Sequence, residues 1–411
     1  MQLTNDQFAL IKNQFKTLME RSPFYASKFE GIDLADVQTQ ADFEKLPFSE
    51  KDDLRNAYPL GLQAVPDEDI VRIHSSSGTT GTPVIIPYTQ QDVTDWAIQF
   101  ARCYETAGIT NRDRIHITPG YGLWTAGIGF QLGAERLGAM SIPMGPGNTE
   151  KQLKMMQDLN STVLCATSSY ALLLAEEISV RKLRDKISLR KGVIGSERWG
   201  EKMRNRIQSE LGIEIFDIYG LTEVYGPGIG ISCKEHNGMH VWSDYVYVEI
   251  VDPVTGAPVP DGEVGELVLT TLRKQGAPLI RYRTHDLTRI IPGDCACGLQ
   301  HPRIDTLVGR TDDMFKVKGC NIFPAQVEEV IAITDGTSSE YQVMIENISG
   351  KDILTVLFET SLEGEAKDHA EEELAMIFKA KTGCTPDAKG VPLGELPRSE
   401  KKTQRIFDSR Y

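Results

Sequence analysis

Basic residues are in deficit in this sequence: 44 Lys and Arg stand against 58 Asp and Glu, a net charge of −14. Nucleic acid is thereby excluded as a main partner, because a phosphate backbone requires a basic face. A single nucleotide is not excluded, since it needs only one local positive site. No apolar run is long enough to cross a bilayer. The start, Met1-Gln2-Leu3-Thr4-Asn5-Asp6, lacks the basic and apolar regions of a signal peptide. These absences point to a cytoplasmic enzyme without a membrane partner. Cysteine is sparse, odd in number and scattered, seven in 411 residues, which argues against a disulfide framework. No lysine follows Gly81, so a Walker-type phosphate loop is absent as well.

What the chain does contain is Ser75-Ser76-Ser77-Gly78-Thr79-Thr80-Gly81-Thr82-Pro83. Such a stretch buries little apolar area, but its glycines let successive N–H groups converge and its hydroxyls add donors, which suits an anion. Val84-Ile85-Ile86 follows and reads as a strand. Phe8, Ile11, Phe15 and Leu18 give Thr4–Glu20 a helical period. Ser49 is placed to cap a short helix with acidic residues in its first turn. Downstream, strands at Arg114–Thr118, Met140–Pro143, Thr162–Ala166, Gly192–Ile194 and Ile213–Ile218 are expected to alternate with helices at Asp92–Glu105, Thr149–Asn160, Ser169–Ser179 and Gly200–Leu211. That alternation predicts an α/β domain with a largely parallel sheet. Gly122, Gly127 and Gly129 lie among Tyr121, Trp124 and Phe130, where either a flat aromatic substrate or tight helix packing would require them. From Met239 the pattern becomes alternating, with turn signals at Asp252-Pro253, Pro260-Asp261-Gly262 and Pro292-Gly293-Asp294, which predicts a β-rich subdomain. After Gly309–Asp313 a small α+β domain is expected: helices at Gln326–Ile333 and Ala366–Lys381, strands at Tyr341–Glu346 and Ile353–Glu359.

Five segments recur in a telling order. They are Ser75–Pro83, Tyr219-Gly220-Leu221-Thr222-Glu223, Tyr282-Arg283-Thr284-His285-Asp286, Gly309-Arg310-Thr311-Asp312-Asp313-Met314 and Lys318-Gly319-Cys320-Asn321-Ile322-Phe323-Pro324. Together they resemble the successive motifs of the adenylate-forming (acyl- and aryl-CoA ligase) superfamily, and the later ones are most similar to the phenylacetate–coenzyme A ligase family. The resemblance implies an α/β fold with a large N-terminal adenylation domain, residues 1–311, and a small mobile α+β domain, residues 312–411, turning about a hinge at Asp312. It implies an AMP-forming acid–thiol ligase acting on a small carboxylic acid, phenylacetate first among candidates, with ATP, Mg²⁺ and coenzyme A. Ser75, Ser76, Ser77, Gly78, Thr79, Thr80 and Gly81 would hold phosphates. Thr222 would contact the α-phosphate, and Glu223 would hold Mg²⁺, a cation that prefers oxygen ligands. Ser196, Glu197, Asp217, Tyr219 and Gly220 would line the nucleotide, with Tyr219 stacking on adenine. Asp286 and Arg310 would grip the ribose, and Lys318 and Gly319 would meet coenzyme A. Tyr121, Trp124 and Gly195 would border the acid. Aligning on Pro397-Arg398-Ser399 puts Lys402 at the catalytic position, with Lys401 as the neighbouring alternative. A homodimer is a family-level expectation. The competing readings are an adenylating enzyme with another acceptor and a non-catalytic nucleotide or acyl-adenylate sensor.

One cluster falls outside these motifs. Cys295-Ala296-Cys297-Gly298 and the distant Cys233 and His240 have the chemistry of a tetrahedral structural Zn²⁺ site, with His236 and His301 as alternative fourth ligands. Four protein ligands leave no open position, so such a site would staple the β subdomain and not catalyse. The remaining cysteines, Cys103, Cys165, Cys320 and Cys384, read as small apolar fillers.

Overall fold

The computed structural model describes residues 2–76, 82–197, 199–348, 350–399 and 403–410. Its first helix, Asn5–Arg21, begins at a reciprocal cap: Gln7 N donates to Thr4 Oγ1, and Thr4 N donates to the Gln7 side chain. The predicted stripe faces inward, with Ile11, Phe15 and Leu18 buried and the Phe15 and Phe29 rings stacked at 4.8 Å. Ser49 is not a cap. Glu50 takes that position before the helix Lys51–Asn56, while Ser49 is buried, donates to Ile280 O at 2.9 Å and meets Tyr25 Oη at 3.1 Å. Its hydroxyl thus anchors the N-terminal helices to the β-rich region.

Among the described residues the largest sheet has nine strands, ordered Ile290–Ile291, Arg303–Ile304, Met239–Val241, Gly226–Ser232, Glu214–Leu221, Lys191–Gly195, Val163–Thr167, Arg114–Ile117 and Met140–Pro143. The last five are mutually parallel and the rest antiparallel. Val163–Thr167 is buried on both faces, as a central parallel strand covered by helices must be. The β-rich region adds an antiparallel sheet of Val246–Val251, Gly265–Thr271, Tyr282–Thr288 and Gly309–Arg310. Beyond it, Phe315 to Ala388 contribute a separate core around Val343, Val356, Leu374 and Phe378. There the central antiparallel pair Thr337–Ile348 and Lys351–Thr360 is flanked by parallel strands Asp387–Pro392 and Ile406–Asp408. The helix Gly364–Thr382 opens with Glu365, closes with Lys379 and Lys381, and stops at left-handed Gly383, matching charge to its dipole. Among the described residues the chain thus combines a large α/β part with a smaller α+β part that has its own core.

The glycines near Tyr121 separate by cause. A methyl on Gly129 would lie 2.6 Å from Trp96 Cζ2 and 3.1 Å from Pro227 Cγ, and one on Gly127 would lie 2.7 Å from Gly120 O. Both belong to the helix Ala126–Leu137, so its tight packing accounts for them. A Gly129→Ala variant should lose about 1–3 kcal/mol through overpacking, read as a lowered urea midpoint with an unchanged slope.

Candidate active site

Parallel strands release their C-terminal ends at one edge of a sheet, where ligands of α/β folds collect. Here that edge receives Tyr121 and Trp124 after Arg114–Ile117, Ser168 and Ser169 after Val163–Thr167, Ser196 and Glu197 after Lys191–Gly195, and Thr222 and Glu223 after Glu214–Leu221. Gly195 is fixed by packing, since a methyl there would meet Ile218 O of the adjacent strand at 2.4 Å. The next residue, Ser196, has a positive φ of 69°. Tyr121 is exposed and Trp124 half-buried.

The Ser/Thr/Gly loop connects the antiparallel pair Ile70–Ser75 and Ile85–Thr89. Its base is closed twice: Ser76 N donates to Val84 O at 3.0 Å, and Val84 N donates to Ser76 Oγ at 3.0 Å. Ser75 N donates to Leu123 O at 2.9 Å, tying the base to the Tyr121–Trp124 segment. Ser77, Gly78, Thr79, Thr80 and Gly81 lie outside the described residues, as do Lys401 and Lys402.

Across the edge, Thr222 Oγ1 meets Thr125 Oγ1 at 3.1 Å, and the buried Glu223 pairs with Lys51 Nζ at 3.3 Å. Sequence reasoning missed Thr125 and Lys51, whose contacts exist only once distant segments meet. Tyr219 donates through its hydroxyl to Asp286 Oδ2 at 2.7 Å, and Arg310 Nη1 donates to Asp286 Oδ1 at 2.7 Å. Arg310 also forks onto Asp312, with Nε to Oδ1 at 2.8 Å and Nη2 to Oδ2 at 3.0 Å. Burial pushes the Asp286 carboxyl above its ordinary value, against the pull of Arg310 and Tyr219. Burial would raise Asp312 too, but the Arg310 contact brings it below its ordinary value. Asp217 sits apart from this group, accepting from Trp199 Nε1 at 2.9 Å and paired with Arg204. Gly220 packs against Gly226, leaving no room for a side chain.

Lys318 and Gly319 form the two-residue turn between Phe315–Val317 and Cys320–Ile322. Both have positive φ, 50° and 82°, as a twist-matched hairpin of that length requires, so local geometry alone accounts for the glycine.

The small unit meets the edge through residues on either side of the undescribed lysines. Arg398 donates to Glu359 on its own side and, through Nη2 at 2.8 Å, to Glu176 of the large unit. Thr403 N donates to Glu197 Oε1 at 2.9 Å, and Thr403 Oγ1 donates to Ser169 Oγ at 2.7 Å. Glu197 Oε2 accepts from Ser168 Oγ at 2.9 Å and from Ser169 Oγ at 2.6 Å.

The cysteine cluster assembles at the antiparallel end of the nine-stranded sheet. One ligand atom from each of Cys233, His240, Cys295 and Cys297 lies within 4.8 Å of the others. Cys233 Sγ and Cys295 Sγ are 3.7 Å apart, and Cys297 Sγ is 3.2 Å from His240 Nε2. His240 Nδ1 bonds His301 O at 3.0 Å, which turns Nε2 toward the thiols. His236 instead approaches Glu214 at 3.3 Å, and His301 Nδ1 faces Ser243. Of the three candidate histidines, His240 is the one inside the cluster.

The AMP-binding enzyme family model matches residues 21–272, and the model of the AMP-binding enzyme C-terminal domain matches residues 319–410. The phenylacetate-coenzyme A ligase of Escherichia coli (strain K12) is 42% identical over 410 residues, covering 97% of this chain and 93% of that protein. This chain belongs to the phenylacetate–coenzyme A ligase family of AMP-binding enzymes. The family's Thermus thermophilus member, also a phenylacetate-coenzyme A ligase, is 38% identical over 98% of this chain and 96% of its own. Among solved structures, 2-hydroxyisobutyryl-CoA ligase in its postadenylation state with 2-HIB-AMP aligns with a TM-score of 0.89 at 26% identity, over 98% of this chain and 89% of that one. The same ligase in its thioesterification state, with 2-HIB-AMP and CoA, gives 0.72 at 26% identity over the same shares of both chains. Among the described residues no helix is long and apolar enough to cross a membrane.

An Arg310→Met variant would leave the Asp286 carboxylate buried beside Tyr219 alone. Its stability should fall by about 2–3 kcal/mol at neutral pH. The sign of the pH dependence follows. Asp286 already binds its proton more tightly when folded than its ordinary value of 3.8, and losing Arg310 raises it further. The variant's deficit should therefore grow as pH rises through and above the ordinary carboxylate range and shrink below it, measured by urea unfolding from about pH 4 to about pH 8.

Proposed function

We propose that this chain is an AMP-forming ligase that activates an arylacetic acid, phenylacetate foremost, and joins it to coenzyme A. The observation that carries the reading is identity of 38–42% over 90–99% of this chain to four phenylacetate-coenzyme A ligases. In the first step the acid's carboxylate oxygen attacks the α-phosphorus of ATP and pyrophosphate leaves. In the second the thiol sulfur, losing its proton, attacks the acyl carbon and AMP leaves. The Ser75–Gly81 loop donates to the β and γ phosphates from a base held rigid by Ser76 and Val84. Thr222 donates to the α-phosphate, its hydroxyl oriented by Thr125. Tyr219 and Arg310 hold the Asp286 carboxylate at the ribose hydroxyls. Tyr121, Trp124 and Gly195 border the acid. Lys402 supplies the cation for the first step; the contacts of Arg398 with Glu176 and of Thr403 with Glu197, which tie its sequence neighbours to the large domain, support the reading.

Two metals belong to this reading. Glu223 would hold Mg²⁺, which when bound would supply charge neutralisation at the phosphates; the buried carboxylate is paired with the Lys51 ammonium in this structure. Zn²⁺ is structural, held by Cys233, His240, Cys295 and Cys297. Zinc–thiolate bonds of about 2.3 Å at tetrahedral angles put sulfurs about 3.8 Å apart, close to the 3.7 Å between Cys233 and Cys295. The domains divide at 311 and 312, with Asp312 as the hinge. Lys318 and Gly319 then turn toward coenzyme A.

The test is mass spectrometry of purified protein with ATP, Mg²⁺, coenzyme A and a panel of aryl acids. AMP and an acyl-CoA that both depend on phenylacetate are expected. Acyl-adenylate with no CoA product would replace the acceptor, and no acid-dependent AMP from any acid would reject the reading. A Lys402→Ala variant should lose at least about 100-fold in adenylation, whereas the same loss in Lys401→Ala alone would move the assignment by one residue. Protein purified without added metal should contain one equivalent of zinc, and a Cys297→Ser variant should contain much less and melt earlier. A zinc content near zero in freshly reduced protein would reject the site.

A further inference from the structure

Lys202 opens the helix Glu201–Leu211 of the large domain, yet its ammonium is spent on the small one. Nζ donates to Ile331 O at 2.7 Å, Thr334 O at 3.0 Å, Thr337 Oγ1 at 2.8 Å and Thr337 O at 3.3 Å. Ile331 and Thr334 lie at the C-terminal end of the helix Pro324–Ile333, where carbonyls have no partner within the helix. A helix end of that kind carries partial negative charge and favours a cation. This helix has no basic residue of its own in its last turn. The cation is supplied from the other domain, across a narrow crevice lined by Trp199, Gly200, Met203, Ala332, Ser339 and Tyr341. At its own end of the crevice, meanwhile, Lys202 occupies the first turn of its helix, the position where the dipole disfavours a positive charge. The residue is thus better suited to the neighbouring domain's helix than to its own.

Such a contact is available in one arrangement of the two domains. The arrangement seen here aligns with TM-scores of 0.88 and 0.89 with 2-hydroxyisobutyryl-CoA ligase in the postadenylation state and 0.72 in the thioesterification state. Both scores come from one protein in two states. We propose that Lys202 is a positioning residue that caps the small domain's helix in trans and thereby sets the balance between the adenylating arrangement and the one that forms the thioester. The inference rests on the ligase reading above. Lys202 touches no reacting atom. It acts by holding the Arg398 and Thr403 anchors against the large domain. When the small domain turns, the ammonium returns to water, and the carbonyls of Ile331 and Thr334 keep only the Thr337 hydroxyl of their own domain, so the contact favours one arrangement.

The test compares wild type with Lys202→Met and Lys202→Arg. Pyrophosphate release in a single turnover reads the first half-reaction. Thioester formation from supplied phenylacetyl-adenylate and coenzyme A reads the second. Lys202→Met should slow the first roughly tenfold, leave the second unchanged or faster, and regain most of the first when the residue is Arg. Equal losses in both half-reactions, or no loss in the first, would overturn the proposal. Hydrogen exchange reads the same contact without turnover: amides of residues 199–203 and 331–337 should lose protection in Lys202→Met, and unchanged protection would also overturn it. That measurement separates this proposal from the ligase reading, which fails only if wild type makes no acid-dependent AMP. Should Lys202→Met not fold, Lys202→Gln removes the charge and keeps a donor of shorter reach, and a smaller shift in the same direction is expected; no shift would count against the proposal.

Discussion

The guanidinium of Arg310 is shared between two carboxylates of different standing. Asp286 is buried on a β-strand of the large domain, and Asp312 is half-exposed in the chain that leads to the small one. An uncompensated carboxylate at Asp286 would be costly, so the strand pair Tyr282–Thr288 and Gly309–Arg310 is organised to deliver the arginine to it. The same side chain then fixes where the connecting chain begins. The buried carboxylate of Asp286 and the course of the chain at Asp312 therefore depend on one ion network. No apolar packing could serve both, because apolar contacts lack the directionality of a forked donor.

Much of the fold is legible in the sequence because its signals are local. The apolar stripe of Asn5–Arg21, the strand–helix alternation through Leu211 and the acidic-to-basic run of Gly364–Thr382 each carry their own period or charge gradient. Part of the candidate site is legible in the motif residues: Thr222 and Glu223 follow the strand Glu214–Leu221, whose Tyr219 bonds Asp286, and Asp286 in turn pairs with Arg310 across two strands of the antiparallel sheet. What escapes is whatever depends on two distant segments. Lys51 meets Glu223 from a helix far upstream, and Lys202 meets Thr337 from the other domain; nothing in either local stretch marks them. Ser49 illustrates the converse. Its neighbours read as a helix start, but a buried tyrosine hydroxyl and a carbonyl compete for its oxygen and win, and Glu50 takes the cap. The glycines at 127 and 129 show why composition leaves two causes open: close approach of a ring from a substrate and close approach of a ring from Trp96 look alike until the helix is placed.

The cysteine cluster bears on a different problem. The parallel part of the nine-stranded sheet is covered by helices, but its far end is built from short strands, Met239–Val241, Ile290–Ile291 and Arg303–Ile304, of three, two and two residues. Strands so short gain little from pairing alone. On the proposed reading, Zn²⁺ held by Cys233, His240, Cys295 and Cys297 would tie together the segments that carry them, and the His240–His301 hydrogen bond would extend that tie to the neighbouring turn. A staple there would stiffen this end of the sheet.

Thr403 stands immediately after Lys402 in the chain, and its backbone and hydroxyl are bonded to Glu197 and Ser169. On the proposed reading that adjacency gives the reaction a direction. By microscopic reversibility, pyrophosphate can regenerate ATP from the adenylate only with the lysine in the place it held during the forward step. Releasing Thr403 withdraws that lysine together with the rest of the segment. Domain departure then acts as a ratchet: the path back to ATP closes in the same movement that opens the path to the thiol, and the mixed anhydride is committed before the second nucleophile arrives.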